Sequence, residues 1–277
     1  MVMPDPDVLL PEFFWDADLL SSLLAKEKKR RKKRKSDLVF VGMHNASQFW
    51  WCGMYAVLKS KANELEFFAA YLGDRIAYSL LLGRIRAIPK KQDELLEVAD
   101  SLHFGEVAKL LSKPERVKKC ISHTKVKVRG LSRSDALDQF EAGFEAEAEL
   151  AEDHPTFRWH FPYSELVLVG CPDGITQDKV YEFKATNKQY FVGFTKPVAL
   201  TQADLYGHFF RKNKKRVQIY VRDADRIETF DLPVDSSRVR ETLDKFVRTA
   251  KGELPRPPVK FKCVECEYRE ECPMCQY

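Results

Sequence analysis

Gly170-Cys171-Pro172-Asp173-Gly174, followed by Val180-Tyr181-Glu182-Phe183-Lys184, reads as Pro-Asp and then Glu-x-Lys on two short extended segments. Side chains alternate faces along a strand, so Glu182 and Lys184 project to one side while Tyr181 and Phe183 point to the other, toward a core. Asp173 is then within reach of the Glu182 and Lys184 surface. Two carboxylates offer hard oxygen ligands to Mg²⁺ or Mn²⁺, and an ammonium beside them can position a water and offset charge building on phosphate. The triad therefore suits metal-dependent phosphodiester hydrolysis. A lone Glu-x-Lys is more often the solvent face of an ordinary strand, so the weight of the reading rests on the surrounding chain.

Downstream, Thr201-Gln202-Ala203-Asp204-Leu205-Tyr206 predicts a helix opening at Thr201 as its cap, with Gln202 and Tyr206 four apart on one face. Upstream, residues 134–151 predict an amphipathic helix whose apolar stripe runs through Leu137, Phe140 and Phe144. Glu147 falls at the next step of that stripe, although Ala148 competes for the position. Glu141, Glu145, Glu149 and Glu152 lie elsewhere around the helix and read as solvated charges. Residues 216–222 alternate as a strand, 226–232 form a shorter one, and 236–251 read as a helix. The order of helix, strands, helix, strand, strand, helix predicts an α/β fold with a mixed central sheet flanked by helices.

These residues and their order resemble the PD-(D/E)xK nuclease superfamily over residues 134–222. The resemblance implies a restriction-endonuclease-like core with the site on its two central strands.

Of seven cysteines, Cys263, Cys266 and Cys272 fall as C-x2-C-x5-C in the closing segment, with Cys275 just after and Cys52 far upstream. No N-terminal apolar run of signal-peptide type is present, so the expected compartment is a reducing cytoplasm, where clustered cysteines bind metal. Two metal sites compete. Cys263, Cys266, Cys272 and Cys275 suffice for a local tetrahedral zinc knuckle. Alternatively, Cys52 joins Cys263, Cys266 and Cys272 around a 4Fe-4S cluster, a reading that also accounts for the position of Cys52. Cys120 and Cys171 read as buried small apolar residues.

An isolated early cysteine and a late C-x2-C-x5-C that bracket a PD-(D/E)xK core with a following Q-x3-Y resemble the iron-sulfur RecB-type nucleases. Among these the chain most resembles the CRISPR-associated RecB-like exonucleases, the Cas-four family. The stretch Asn45-Ala46-Ser47-Gln48-Phe49-Trp50-Trp51-Cys52 is similar to that family's first motif. The resemblance implies cleavage of single-stranded DNA, often 5′ to 3′, and trimming of prespacer ends beside CRISPR integrase subunits. Many members carry a histidine in a Gly-x3-His setting, where this chain has Gly143-Phe144-Glu145-Ala146-Glu147. Glu147 is an acceptable metal ligand in that place. His103, His123 and His160 are weaker candidates. The spacing between Cys52 and the motif helix is longer than a minimal member needs.

At 277 residues the chain can bury a full core. The reading divides it into an N-terminal apolar helix and basic tail (1–36), a first cluster ligand with a helical subdomain (37–133), the nuclease core (134–254) and a cysteine segment (255–277). Lys26 to Lys35 holds nine basic residues and one acid, which more than accounts for the formal net charge of +5 and leaves the remaining body net acidic. The tail is either a nonspecific contact for phosphate backbones or a solvated extension. Ahead of it, an apolar stripe including Leu9, Phe13, Trp15, Leu20 and Leu24 needs a surface on the core or on a partner. The longest apolar stretch, Ala77 to Ile88, is cut by Gly83, Arg84 and Arg86, so no membrane span is expected. Residues 54–113 read as helices roofing the cleft, with aromatics that pack; Tyr71 and Tyr78 are candidates for base stacking. No Gly-rich phosphate loop occurs, so ATP is not expected. Pro255-Arg256-Pro257-Pro258 is a stiff connector carrying the late cysteines back toward Cys52.

The expectation is a metal-dependent DNA exonuclease in which Asp173, Glu182 and Glu147 hold Mg²⁺ or Mn²⁺, Lys184 acts on the attacking water, and Gln202 and Tyr206 hold substrate or the lysine. The alternatives are a repair nuclease outside CRISPR, a DNA-binding partner subunit with incidental catalysis, and a zinc-knuckle adaptor.

Overall fold

The computed structural model describes residues 17–30, 38–68, 70–71, 146–147, 149–152, 154, 158–264 and 266–275. It contains helix α1 (Ala17–Arg30), strand β1 (Phe40–Gly42), helix α2 (Met43–Ser47), a 3-10 turn (Gln48–Trp50) and helix α3 (Gly53–Ala62). Strands β2 (Trp159–Tyr163), β3 (Leu166–Gly170), β4 (Gly174–Ile175) and β5 (Lys179–Thr186) follow. Helix α4 (Val192–Phe209), strands β6 (Lys214–Val221) and β7 (Arg226–Pro233), helix α5 (Ser236–Ala250) and the short α6 (Phe261–Val264) complete the order.

The chain is an α/β protein with mixed sheets flanked by helices. Among the described residues the strands form two sheets, a three-stranded β1-β3-β2 and a four-stranded β4-β5-β6-β7. Each has one parallel pair, β1 with β3 and β5 with β6, and antiparallel neighbours elsewhere. The parallel β5–β6 pair needs a crossover, which α4 supplies. The main apolar cluster joins Val180, Val217, Ile219 and Val221 of the four-stranded sheet to Leu200, Ala203 and Leu205 of α4 and to Val239, Leu243 and Phe246 of α5.

Registry then corrects which face of β5 is the core face. Val180, Glu182 and Lys184 pair across to Lys215, Val217 and Ile219, so the acid and the lysine lie on the side that α4 and the main apolar cluster cover. Tyr181 and Phe183 take the opposite face, where Tyr181 is buried in a polar network rather than in oil. Alternation fixes which residues share a face, but not which face a crossover helix covers.

The predicted start of α4 at Thr201 is also corrected. The helix begins nine residues earlier and runs through Pro197, and Thr201 lies buried in its middle with no capping role. A proline early in a helix forfeits a bond to the carbonyl four residues back, here Gly193. The strands at 214–221 and 226–233 and the helix at 236–250 match the reading within one or two residues, and Asp235 caps α5 by accepting from the amides of Ser237 and Arg238.

Part of the N-terminal stripe docks on the core. Leu24 packs in a second cluster with Val39, Phe40, Phe67, Phe68, Val167 and Val169. Lys28 pairs with Glu64 at 3.1 Å, and Glu64 in turn accepts from the Val39 amide. The stripe residues before Ala17, the tail beyond Arg30, the region 72–145 that includes Tyr78, His103, Cys120 and His123, and most of the predicted helical subdomain lie outside the described residues. No described helix is long and apolar enough to cross a membrane.

Asp204 on α4 and Lys215 on β6 form a buried ion pair that fastens the crossover helix to its sheet. The same carboxylate accepts from the Asp235 amide at 2.7 Å, tying in the start of α5. Breaking a buried pair leaves an uncompensated charge. Lys215→Met should therefore destabilise by about 3 kcal/mol in chemical denaturation, and adding Asp204→Asn should recover part of the loss.

Candidate functional site

Asp173 sits between β3 and β4, and its Oδ2 accepts from the Phe183 amide at 2.8 Å, which fixes the carboxylate against the edge of β5. Gly174 beside it has no room for a side chain, since an added Cβ would stand 2.5 Å from the His154 Cβ. Glu182 is fully buried, and Lys184 donates to its Oε1. The other oxygen, Glu182 Oε2, is buried without a hydrogen-bond partner among the described residues. A buried unpaired carboxylate oxygen is costly unless something charged completes it.

The electrostatics bind the group together. Burial pushes the Glu182 carboxyl well above the usual range, the neighbouring Asp173 charge adds to that, and Lys184 offsets part of it. Burial and the Asp173 charge raise the Glu147 carboxyl, and Lys184 offsets part of the rise. Burial alone would lower Lys184, but Glu182, Asp173 and Glu147 carry it upward instead. An ammonium held charged by three carboxylates supports charge compensation over proton abstraction. The Lys184 side chain is 30% exposed, so the group opens to solvent at the lysine end.

Tyr206 is buried and held well above its usual pKa by burial and by the Glu182 and Asp173 charges; Gln202 Nε2 donates to its hydroxyl oxygen at 3.1 Å. The α4 pair therefore backs the carboxylates, in the arrangement the four-residue spacing predicts.

Glu147 owes its place to an anchor just beyond it. The Glu152 amide donates to Tyr181 Oη at 3.0 Å, and Arg216 Nη1 donates to Glu152 Oε1 at 2.7 Å. His154 pairs with Glu152 Oε2 at 2.8 Å. Glu152 is therefore no solvated charge but the clasp that fastens the end of the Glu147 helix to β5 and β6, while Glu149 is exposed as expected. Burial of Ala148 falls outside the described side chains. Of the histidine candidates, His160 is buried between Tyr71 and Trp159 rings at 4.6 and 4.5 Å, which makes it and Tyr71 packing residues.

One residue went unread in the sequence. His44, at the start of α2, is exposed, while protein atoms around its ring and the charges of Lys59 and Lys184 lower its pKa. It brings a neutral imidazole near the lysine end of the group. Its only signal was position, directly after the buried run Leu38 to Met43 that brings α2 alongside β3.

A second cluster gathers Cys52, Cys263, Cys266, Cys272 and Cys275. Cys52 caps α3, and Cys263 lies in α6. Burial raises the Cys52 thiol, with Cys272 and Cys263 adding to it; burial also raises Cys266, with Cys52, Cys272 and Cys263 adding. Burial and hydrogen bonds with Cys263 and Cys272 raise Cys275. The segment is also held without any metal: Lys262 donates to the Trp51 carbonyl at 2.8 Å, and Tyr55 donates to Glu267 at 3.1 Å. Cys171 is exposed, contrary to its reading as a buried apolar residue, because β3 ends at Gly170 and the chain turns outward toward Asp173.

Among the described residues, no group of three or more His, Cys, Asp or Glu side chains is placed so that it could hold a metal ion. The donor sets still fit metals in kind. The orphaned Glu182 Oε2, acted on by the Asp173 and Glu147 charges, suits a hard divalent cation in donor type, and a group of cysteine thiols suits a soft one.

A raised carboxyl pKa means that the metal-free fold is penalised once Glu182 ionises: the penalty is absent below the ordinary glutamate pKa and grows as pH rises through the folded one. Glu182→Gln should then raise the melting temperature of the metal-free protein at neutral pH by about 2–4 °C, the shift roughly 1 kcal/mol produces in a chain of this size. The gain should vanish near pH 4. Divalent-metal affinity of the wild type, read by calorimetry, should fall as pH is lowered, because each ion must displace protons.

No protein-family profile matches the chain, and no curated protein does. A solved structure described as the crystal structure of SSO0001 is 17% identical over 59% of this chain and 82% of that one, with a TM-score of 0.40. A likeness of that size carries no inference about function.

Proposed function

We propose that the protein is a metal-dependent DNA nuclease of the PD-(D/E)xK type with a structural 4Fe-4S cluster, acting on single-stranded ends. The observation that carries the reading is the buried Glu182 with an unsatisfied Oε2, flanked by Asp173, Glu147 and Lys184. Asp173, Glu182 and Glu147 would hold Mg²⁺ or Mn²⁺, which when bound polarises the phosphate and lowers the pKa of a water. Lys184, kept protonated by the carboxylates, offsets charge that develops on the scissile phosphate and orients the attacking water. Gln202 and Tyr206 hold the back of the site rigid.

For the second cluster, Cys52, Cys263, Cys266 and Cys272 would hold iron and sulfide, with Cys275 close to two of them. The position of Cys52 beside the late cysteines favours this over a zinc knuckle. Sequence resemblance alone supports a role in CRISPR adaptation, trimming prespacer DNA with integrase subunits; a repair role uses the same chemistry. Cleavage of a 5′-labelled against a 3′-labelled single strand, with Mn²⁺, tests the activity and its polarity together. Labelled ends released progressively support an exonuclease, and uncut substrate with folded protein contradicts it.

A further inference from the structure

Five aromatic rings form a connected, partly exposed ladder between the end of β5 and the cysteine segment. Tyr190 meets Phe191 at 5.5 Å and Phe194 at 5.6 Å; Phe194 meets Phe261 at 5.4 Å and Trp51 at 5.9 Å; Trp51 meets Phe261 at 6.2 Å. Tyr190 is 68% exposed and Phe261 43%, beside exposed Val259 and Val264. Phe194, Phe261 and Trp51 have a structural task, seating the cysteine segment on α4. Tyr190, at the outer end, is more exposed than seating requires, and an exposed aromatic cluster of this kind marks a binding surface.

The charge around the ladder points to a polyanion. Lys262 Nζ stands 4.1 Å above the Trp51 ring and 5.1 Å from that of Phe194, and Lys188 is exposed next to the 3-10 turn that carries Tyr190. The nearby acids are engaged: Asp223 accepts from the Gln189 amide, and Glu228 accepts from Arg226 and from the Gln189 side chain. The ladder and the carboxylate group are carried by the same two elements, β5 with its following turn and α4. Tyr190 follows Lys184 by six residues along the same connection, and Phe194 precedes Gln202 by eight residues on α4, roughly 12 Å along the axis.

We infer that Tyr190, with Phe194 and Phe261 behind it and Lys188 and Lys262 at its rim, is a base-stacking platform that holds single-stranded DNA running to or from the carboxylate group. Every base has a π face, so such a platform is indifferent to sequence but requires bases, whereas the lysines require only phosphates. The inference deepens the nuclease reading and rests on it for the direction of the strand, though binding can be measured apart from cleavage.

The test is fluorescence anisotropy in chelator, with a labelled oligothymidylate of about twenty nucleotides and an abasic oligonucleotide of equal length, on wild type, Tyr190→Ala and Tyr190→Phe. Stacking on one ring is worth roughly tenfold in affinity. Wild type and Tyr190→Phe should prefer the thymidylate over the abasic strand by about that factor, and Tyr190→Ala should lose the preference with its circular dichroism unchanged. Equal affinities of Tyr190→Ala and wild type for thymidylate, or no binding by wild type, would overturn the platform. So would a wild-type dimer in sedimentation that Tyr190→Ala abolishes without altering DNA binding, which would assign the patch to a second copy of the chain. Base-dependent binding through Tyr190 without Mn²⁺-dependent cleavage would defeat the nuclease reading and leave the platform standing.

Discussion

Lys184→Ala is expected to reduce Mn²⁺-dependent cleavage of single-stranded DNA by about 10³-fold, while affinity for DNA changes only severalfold. Removing a single charge-stabilising group from a preorganised, partly dry site typically has an effect of that order. Here the expectation is sharpened by the surroundings. Lys184 donates to Glu182 and is held protonated by three carboxylates, so its charge is in place before substrate arrives. The alanine variant also leaves Glu182 without its counter-ion, so its metal-free melting temperature should fall, and saturating Mn²⁺ should restore much of it. Lys184→Arg, which keeps the charge but replaces a compact ammonium with a planar fork, should recover stability more fully than rate. Wild-type rates from Lys184→Ala would remove the lysine from the chemistry and return the group to a structural role.

If Cys266 ligates an iron-sulfur cluster, Cys266→Ala is expected to lose the brown colour that cluster gives and about 10 °C of melting temperature together. A cluster joining Cys52 to the late cysteines closes more than two hundred residues of chain, and a covalent link across a loop of that size stabilises by about 5 kcal/mol on chain-entropy grounds. Because Lys262, Tyr55 and the aromatic contacts already hold the segment, the variant should stay folded at low temperature rather than collapse. Cys275→Ala, in contrast, should keep its colour if Cys52 is the fourth ligand. A colourless wild type that carries zinc, and loses it with Cys275→Ala, would instead establish the local knuckle.

The carboxylate group was legible in the sequence because its information is local. Two-residue alternation puts Glu182 and Lys184 on one face, four-residue spacing joins Gln202 to Tyr206, and the Pro-Asp turn places Asp173 beside them; the structure brings these together. What alternation cannot say is which face a crossover helix covers. Tyr181 and Phe183, the larger apolar side chains, looked like the core face, yet α4 and its cluster lie on the Glu182 side and Tyr181 serves a polar clasp. Glu152 was misread for the same reason: its partners, Tyr181, Arg216 and Gln218, are 29 to 66 residues away in sequence.

The start of α4 was obscured by Pro197 and Gly193, both of which break helices in isolation and are tolerated here by packing on β5 and β6. His44 was invisible because nothing local distinguishes a histidine at the head of a five-residue helix; only the parallel pairing of β1 with β3 places that helix near Lys184. Cys52 was legible as an outlier in spacing, and the structure places it with the late cysteines.

The most direct measurement is degradation of end-labelled single-stranded DNA by anaerobically purified wild-type protein, with Mn²⁺ and with chelator in parallel. Cleavage that requires Mn²⁺ is the predicted result. A brown, folded protein that binds Mn²⁺ and leaves the strand intact would contradict the nuclease, and would make the carboxylate group a metal site without hydrolytic work.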